Sequence, residues 1–281
     1  MKYTFPPRWI WLLVTMTGAS CYAPRYVFSP ATQNIPLLDH KNDLELSLGD
    51  GGSLNMLHAR GNSYNGADLQ GAWAISNHLA AILATGARWE RSRDNDTYYA
   101  GDTSRLSYRG FYTEIGIGYY SPVRYNARMK FQGYAGMAFG NWDITDRYTS
   151  NGVTVQKYHD SRPTKIFLQP SLTYRLFKNS WVGFSSRLTA AVYRKIRTNY
   201  DARELDNYIL DSLTVSPVFF WEPAVIYTQG FKKIPVRIRL QGSLAILVNR
   251  RFIQHRTGNV ALGIVADFPK RRLHIHEKRS R

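Results

Sequence analysis

The sequence has one cysteine, Cys21, in 281 residues, which excludes an internal disulfide and any metal centre built from several thiolates. It has no apolar run of about 20 residues, the length an α-helix needs to cross a bilayer. A bundle of membrane helices is therefore excluded. Acidic residues are scarce, with 20 Asp and Glu against 37 Lys and Arg, a formal net charge of +17. A phosphate-binding loop is lacking too, because the Gly-rich stretch Gly49 to Gly52 has neither the Lys-Ser/Thr ending nor a following helix. Aromatics are abundant: 19 Tyr, 13 Phe and 7 Trp make 14% of the chain, too much apolar surface for a disordered one. The length suits one large domain or two small ones.

At the N-terminus, Lys2 and Arg8 precede a short apolar run from Trp9 to Met16, followed by Thr17, Gly18, Ala19 and Ser20. That order is the pattern of a bacterial export signal, placed at residues 1–20. Cleavage there leaves Cys21 first, and the arrangement resembles a lipoprotein signal, with Gly18 where Leu or Val is usual. Acylation of Cys21 is expected; an incidental cysteine beside an ordinary cleavage site is the alternative. Each buried methylene of an acyl chain contributes about 0.8 kcal/mol to membrane attachment. Residues 21–42 carry Pro24, Pro30 and Pro36 and read as an extended periplasmic linker, a tether.

From Asp43 onward the hydrophobic pattern has a period of two. Leu44, Leu46 and Leu48 alternate with Glu45 and Ser47; Phe111, Ile115, Ile117 and Tyr119 alternate with Tyr112, Glu114, Gly116 and Gly118. Similar runs surround Met129 to Phe139, Ile166 to Tyr174, Val182 to Val192, Leu213 to Tyr227, Ile234 to Ile246 and Val260 to Phe268. Two segments, 67–76 and 79–90, are blurred by alanine and glycine. The count is about ten strands, with eight or twelve as alternatives, because 141–162 can form another hairpin or prolong its neighbours.

Connections alternate in length. Tight turns fall near Asn77, Ser121 to Asn126, Phe177 to Asn179 and Gln229 to Lys232, while long polar loops fall at 50–66, 92–104, 141–162 and 194–211. Antiparallel neighbours then place the long loops at one end and the tight turns at the other, as in an outer-membrane barrel. Spanning needs about 9–11 tilted residues per strand, and only a closed barrel leaves no unsatisfied edge in hydrocarbon. Trp89, Tyr108, Tyr119, Tyr120, Trp142, Tyr174, Trp181, Trp221 and Tyr227 lie near strand ends, where interfacial girdles form. The expected fold is an all-β antiparallel transmembrane barrel over 43–268, in the outer membrane, with both termini periplasmic. A soluble barrel or sandwich is the alternative.

If the apolar face meets lipid, the other face gathers Glu45, Glu114, Lys130, Arg175, Arg187, Glu222, Arg237 and Arg239 in the lumen. In a narrow barrel such charges are expected to form a polar network of paired ions. No catalytic, metal or cofactor site is expected. His40, His58, His78, His159 and His255 are scattered, while His274 and His276 supply only two ligands in a basic tail at 269–281. The tail and net charge favour outer-membrane lipids, and anionic lipid or glycan phosphates, as partners over nucleic acid.

Cys21-Tyr-Ala-Pro-Arg-Tyr-Val-Phe-Ser-Pro, Asn34-Ile-Pro-Leu-Leu, Asp43-Leu-Glu-Leu and Asp68-Leu-Gln-Gly-Ala-Trp-Ala-Ile-Ser-Asn-His-Leu resemble a family of uncharacterised envelope proteins of Bacteroidetes. The resemblance covers roughly residues 21–90 and implies an outer-membrane β-barrel acylated at Cys21, without a known activity. The expected function is non-enzymatic, in envelope structure or loop-mediated recognition. A barrel-rim enzyme acting on lipid or peptide and a soluble periplasmic ligand-binding barrel are the alternatives.

Overall fold

A computed structural model of the chain describes residues 25–52, 63–94, 103–123, 126–150, 153–232, 234–249 and 253–268. The export segment, Cys21 and the basic tail lie outside them. The strands are β1 (Leu44–Gly52), β2 (Ser63–Ala74), β3 (Leu79–Asp94), β4 (Thr103–Val123), β5 (Asn126–Ser150) and β6 (Val153–Phe177). They continue as β7 (Ser180–Thr198), β8 (Val218–Gly230), β9 (Val236–Leu244), the two-residue β10 (Ile246–Leu247) and β11 (Gly258–Phe268).

Each strand pairs antiparallel with its neighbours; β1 pairs with β2 on one side and β11 on the other, and pairing of β8 with β9 closes the ring. β10 carries the line of β9 past Ala245 and pairs with β8, so ten walls enclose the lumen. Closure gives each of the ten walls two neighbours, which removes the unpaired edge that a membrane would penalise.

The alternation decides which face looks out. Leu48, Ile117, Ile166, Val225 and Ile264 point outward and are 56–63% exposed. Gln132, Gln169, Ser185, Arg187 and Gln241 point inward and are nearly inaccessible. An outer wall this apolar on strands all round the ring far exceeds the hydrophobic patch of a soluble monomer and matches the belt of a transmembrane barrel.

Four expectations change. Of the aromatics read as girdle residues, Tyr108, Tyr120, Trp142 and Trp181 are buried. Over its described residues the stretch 141–162 is strand and not the long loop: β5 and β6 are prolonged into it, as the alternative reading had it, and each is 25 residues long. Leu213 and Val215 do not open a strand, because 211–214 is a 3-10 turn and β8 begins only at Val218. Pro217 explains that boundary, since its ring removes a ladder donor and restricts the residue before it. The last change concerns the Pro-containing linker, which does not hang from the barrel. Residues 25–38 pass through the lumen, with Val27, Phe28, Gln33, Asn34 and Ile35 buried.

Register fixes the two ends. Leu44 faces Phe268, so the first and last long strands begin and end together, near the tight turn at Asn77 where the Lys41 amide bonds the Asn77 side chain at 3.0 Å. Arg25 lies at the opposite end, paired with Asp146 and packed on Tyr208. Arg25 and Phe268 therefore lie at opposite ends of the barrel. Helix α1 (Ala202–Asn207), capped by Asp201 and Glu204, belongs to the loop between β7 and β8 at the Arg25 end.

A charge near the middle of the outer belt should cost about 2–4 kcal/mol at the bilayer midplane. Ile115→Arg is expected to lower unfolding stability in phospholipid vesicles by that amount, read by urea titration. Arg105→Glu, beyond the belt, is expected to change it little.

Candidate functional site

The lumen and the segment inside it form the site with the most unusual chemistry. An extended chain carrying Pro30 and Pro36 cannot join a sheet ladder along its length, yet its buried carbonyls need partners. Side chains of the inner wall supply them. The Gln70 amide donates to the Thr32 carbonyl at 2.8 Å, Gln169 to Asn34 at 2.8 Å, and Arg239 to Ile35 at 3.2 Å. Gln132 then donates to Pro36 at 2.7 Å and Lys130 to Leu38 at 3.0 Å. In return the segment donates: Gln33 to the Glu222 carbonyl at 2.7 Å, Asn34 to Gly71 at 2.8 Å, and the Leu37 amide to the Glu45 carboxylate at 2.9 Å.

At the long-loop end the contacts become aromatic. Phe28 stacks on Phe220 with ring centres 3.9 Å apart, and the Trp142 indole donates to the Tyr26 carbonyl at 2.6 Å. Val27 and Phe28 exchange backbone bonds with Gln254 and Arg256 at 2.9 and 2.8 Å.

The predicted lumen charges fall into separate groups. Glu45 bridges Arg237 at 2.5 Å and Arg239 at 2.6 Å, and Arg237 also meets Asp267. Arg187 contacts both Glu114 oxygens at 3.2 and 3.1 Å, donates to Gln169 at 2.9 and 2.6 Å, and lies over the Phe167 ring. Lys130 pairs with Asp39 at 2.5 Å. Glu222 accepts from Thr189, and Arg175 stacks on Trp181 and meets no carboxylate among the described residues. A bare charge in such surroundings costs several kcal/mol, which the paired geometry offsets.

Three further pairs escaped the sequence. Arg88 clasps Asp68 at 2.7 and 2.9 Å, and the Tyr112 hydroxyl donates to the same carboxylate at 2.7 Å. Gly86 makes this possible, because a Cβ there would overlap the Asp68 carboxylate and the Tyr112 ring. Arg256 pairs with Glu90 at 2.6 Å while lying 3.9 Å from the ring centres of both Tyr26 and Tyr64. Arg25 pairs with Asp146. For Asp68, Arg88 and Glu90 the signal was present but blurred by neighbouring alanine and glycine; Arg256 and Arg25 lie outside any periodic stretch.

Little space is left. The cavity beside Phe28, Tyr112 and Lys165 has about 30 Å³ of water-accessible volume and that beside Thr32 and Gln241 about 20 Å³, each enough for one or two waters. Of the histidines, His159 is buried near the long-loop end, His255 contacts the Ile253 and Ala245 carbonyls, and His78 stacks on Tyr119. His40 lies 4.0 Å from Asp43 at the exposed turn end; His58, His274 and His276 lie outside the described residues. Among the described residues no group of three or more His, Cys, Asp and Glu is placed to hold a metal.

No protein-family model and no curated protein matches the chain. Solved structures do. The translocator domain of autotransporter NalP from Neisseria meningitidis is 11% identical, with 82% of this chain and 88% of that one covered and a TM-score of 0.47. An outer membrane channel from Pseudomonas putida F1 is 11% identical over 84% and 100% of the two chains, TM-score 0.41. Outer membrane protease OmpT from Escherichia coli is 9% identical over 80% and 92%, TM-score 0.39. At such identities the likeness concerns architecture alone; a translocator, a channel and a protease share it.

Removing one partner of a buried pair strands the other, at about 3–5 kcal/mol. Glu114→Ala is expected to cost that much in urea unfolding within vesicles, and Glu114→Leu combined with Arg187→Met distinctly less than the sum of the single changes.

Proposed function

We propose that the chain is an outer-membrane barrel closed by its own N-terminal segment, serving envelope structure or recognition through its long-loop end, without catalysis. The observation that carries this reading is the bonding of the Thr32, Asn34, Ile35, Pro36 and Leu38 carbonyls to inner-wall side chains. A conduit needs a continuous water path, and this segment fills it. A soluble ligand-binding barrel needs the reverse of the observed surfaces, a polar exterior and an empty interior pocket.

The long-loop end faces the outside in this reading, as longer loops do in outer-membrane barrels. Arg25 then lies on the outer side. It is four positions along the chain from Cys21, a reach of at most about 14 Å at full extension. An acyl group on Cys21 therefore belongs to the outer leaflet, and the periplasmic tether read from the sequence is replaced by an anchor on the other face.

Two measurements test this. Full-length protein in planar lipid bilayers is expected to give no conductance steps; steps like those of an open porin would overturn the closed reading. For orientation, single-cysteine variants on a Cys21→Ala background are treated in intact cells with a membrane-impermeant maleimide. Arg203→Cys on α1 is expected to label and Lys178→Cys at a tight turn to stay unlabelled; the reverse pattern inverts the barrel.

A further inference from the structure

The apolar belt of the outer wall ends at a level that carries charge. Trp89, Arg109, Asp143, Asp160 and Arg197 face one another in succession across β3, β4, β5, β6 and β7. In β4, ten residues separate Arg109 from Tyr119, and the side chains facing outward between them include Phe111, Ile115 and Ile117. At about 3.3 Å per residue and a tilt of about 40°, that distance is ~25 Å along the barrel axis, the height of a lipid-facing belt. With Tyr119 at one interface, the row of Arg109 and Trp89 stands at the other, on the long-loop side.

The wall is broken at this level. β5 and β6 pair at Phe139 with Thr164 and next at Trp142 with Ser161. Between β6 and β7 the register shifts, because Asp160 faces Arg197 while Arg162 faces Arg194. The extra residue in β7 is accommodated by Lys195 in the left-handed region, φ 52. Such a bulge bends a strand and re-aims its side chains. The result is a cleft of about 320 Å³ lined by Asn141, Asp143, Asp160, Ser161, Arg162, Lys195 and Arg197.

Its chemistry is that of a receptor for mixed groups. Arg162, Lys195 and Arg197 form no ion pair among the described residues, unlike Arg25, Arg88, Arg187 and Arg256. Asp143 and Asp160 are directly opposed across the strands, an arrangement that repels unless donors come between them. Asp143 receives one, the Asn141 amide at 3.1 Å, and Arg109 and Arg162 lie within electrostatic range of it without a direct ion pair. A phosphate satisfies the three bases, and hydroxyl donors satisfy the carboxylates.

We infer that this cleft binds the headgroup of a membrane lipid carrying a phosphate and hydroxyl groups, with its acyl chains lying on the apolar wall below. The inference rests on the membrane reading above and adds a ligand class to its outer surface.

The test uses full-length barrel in detergent micelles containing phosphatidylglycerol, with bound lipid counted by native mass spectrometry. Phosphatidylcholine micelles and free glycerol phosphate serve as comparisons. The variant R162Q/K195Q/R197Q is expected to weaken phosphatidylglycerol binding about tenfold or more. R91Q/R105Q/R147Q, which removes the same charge beyond the row, is expected to leave it unchanged. Heat-dependent gel mobility verifies folding of each variant. Equal weakening in both variants, or equal retention of phosphatidylcholine, overturns the site. Binding of free glycerol phosphate as tight as that of the lipid overturns a lipid ligand. Failure of the wild-type barrel to enter vesicles overturns the membrane reading as well, whereas normal insertion with unaltered binding in the cleft variant overturns the cleft alone.

Discussion

Backbone donors and acceptors that cannot reach water must find partners within the protein, and this single demand organises the structure. The wall meets it through strand pairing that closes round the ring. The segment inside cannot, since it lies within the ring and carries two prolines. Its carbonyls are therefore claimed by glutamine amides and by the ends of arginine and lysine side chains. The polar inner face is thus the complement of one particular strand of backbone, and its ion pairs hold those side chains where the carbonyls need them. Glu45 illustrates both roles, fixing Arg237 and Arg239 while accepting the Leu37 amide.

The architecture was legible because membrane strands obey a two-residue rule that side chains cannot hide. Leu48, Ile117 and Ile264 are outward where alternation places them, and Glu45, Glu114, Arg187 and Arg239 are inward. The pairing of those charges was not legible. Glu114 with Arg187 joins positions 73 residues apart, and which carboxylate meets which guanidinium depends on ring geometry. The buried route of residues 25–38 was misread for a different reason. Prolines among polar residues describe an extended chain equally well in solvent or inside a polar tube, and only the matching glutamines on distant strands distinguish them.

The barrel is also uneven in height. β4 to β7 run 19–25 residues, whereas β1 and β9 have nine each. The tall side rises beyond the apolar belt and carries the aromatic clamp around Tyr26, Phe28 and Arg25 as well as α1. Sequence periodicity persists along these extensions, which explains why 141–162 looked ambiguous: the strand continues, but its outward residues turn from apolar to charged where the lipid ends.

Threading has a topological side. A ring of hydrogen bonds encircles the chain that leads into β1, like a bead closed around its own string. The seam between β1 and β11 joins the first and last strands to be synthesised. Either the ring is sewn shut with the leader already laid in place, or an open seam must later swallow it. In both routes, maturation is irreversible in a mechanical sense: pulling the leader free means dragging Lys130, Gln169 and Arg239 off their carbonyls in turn.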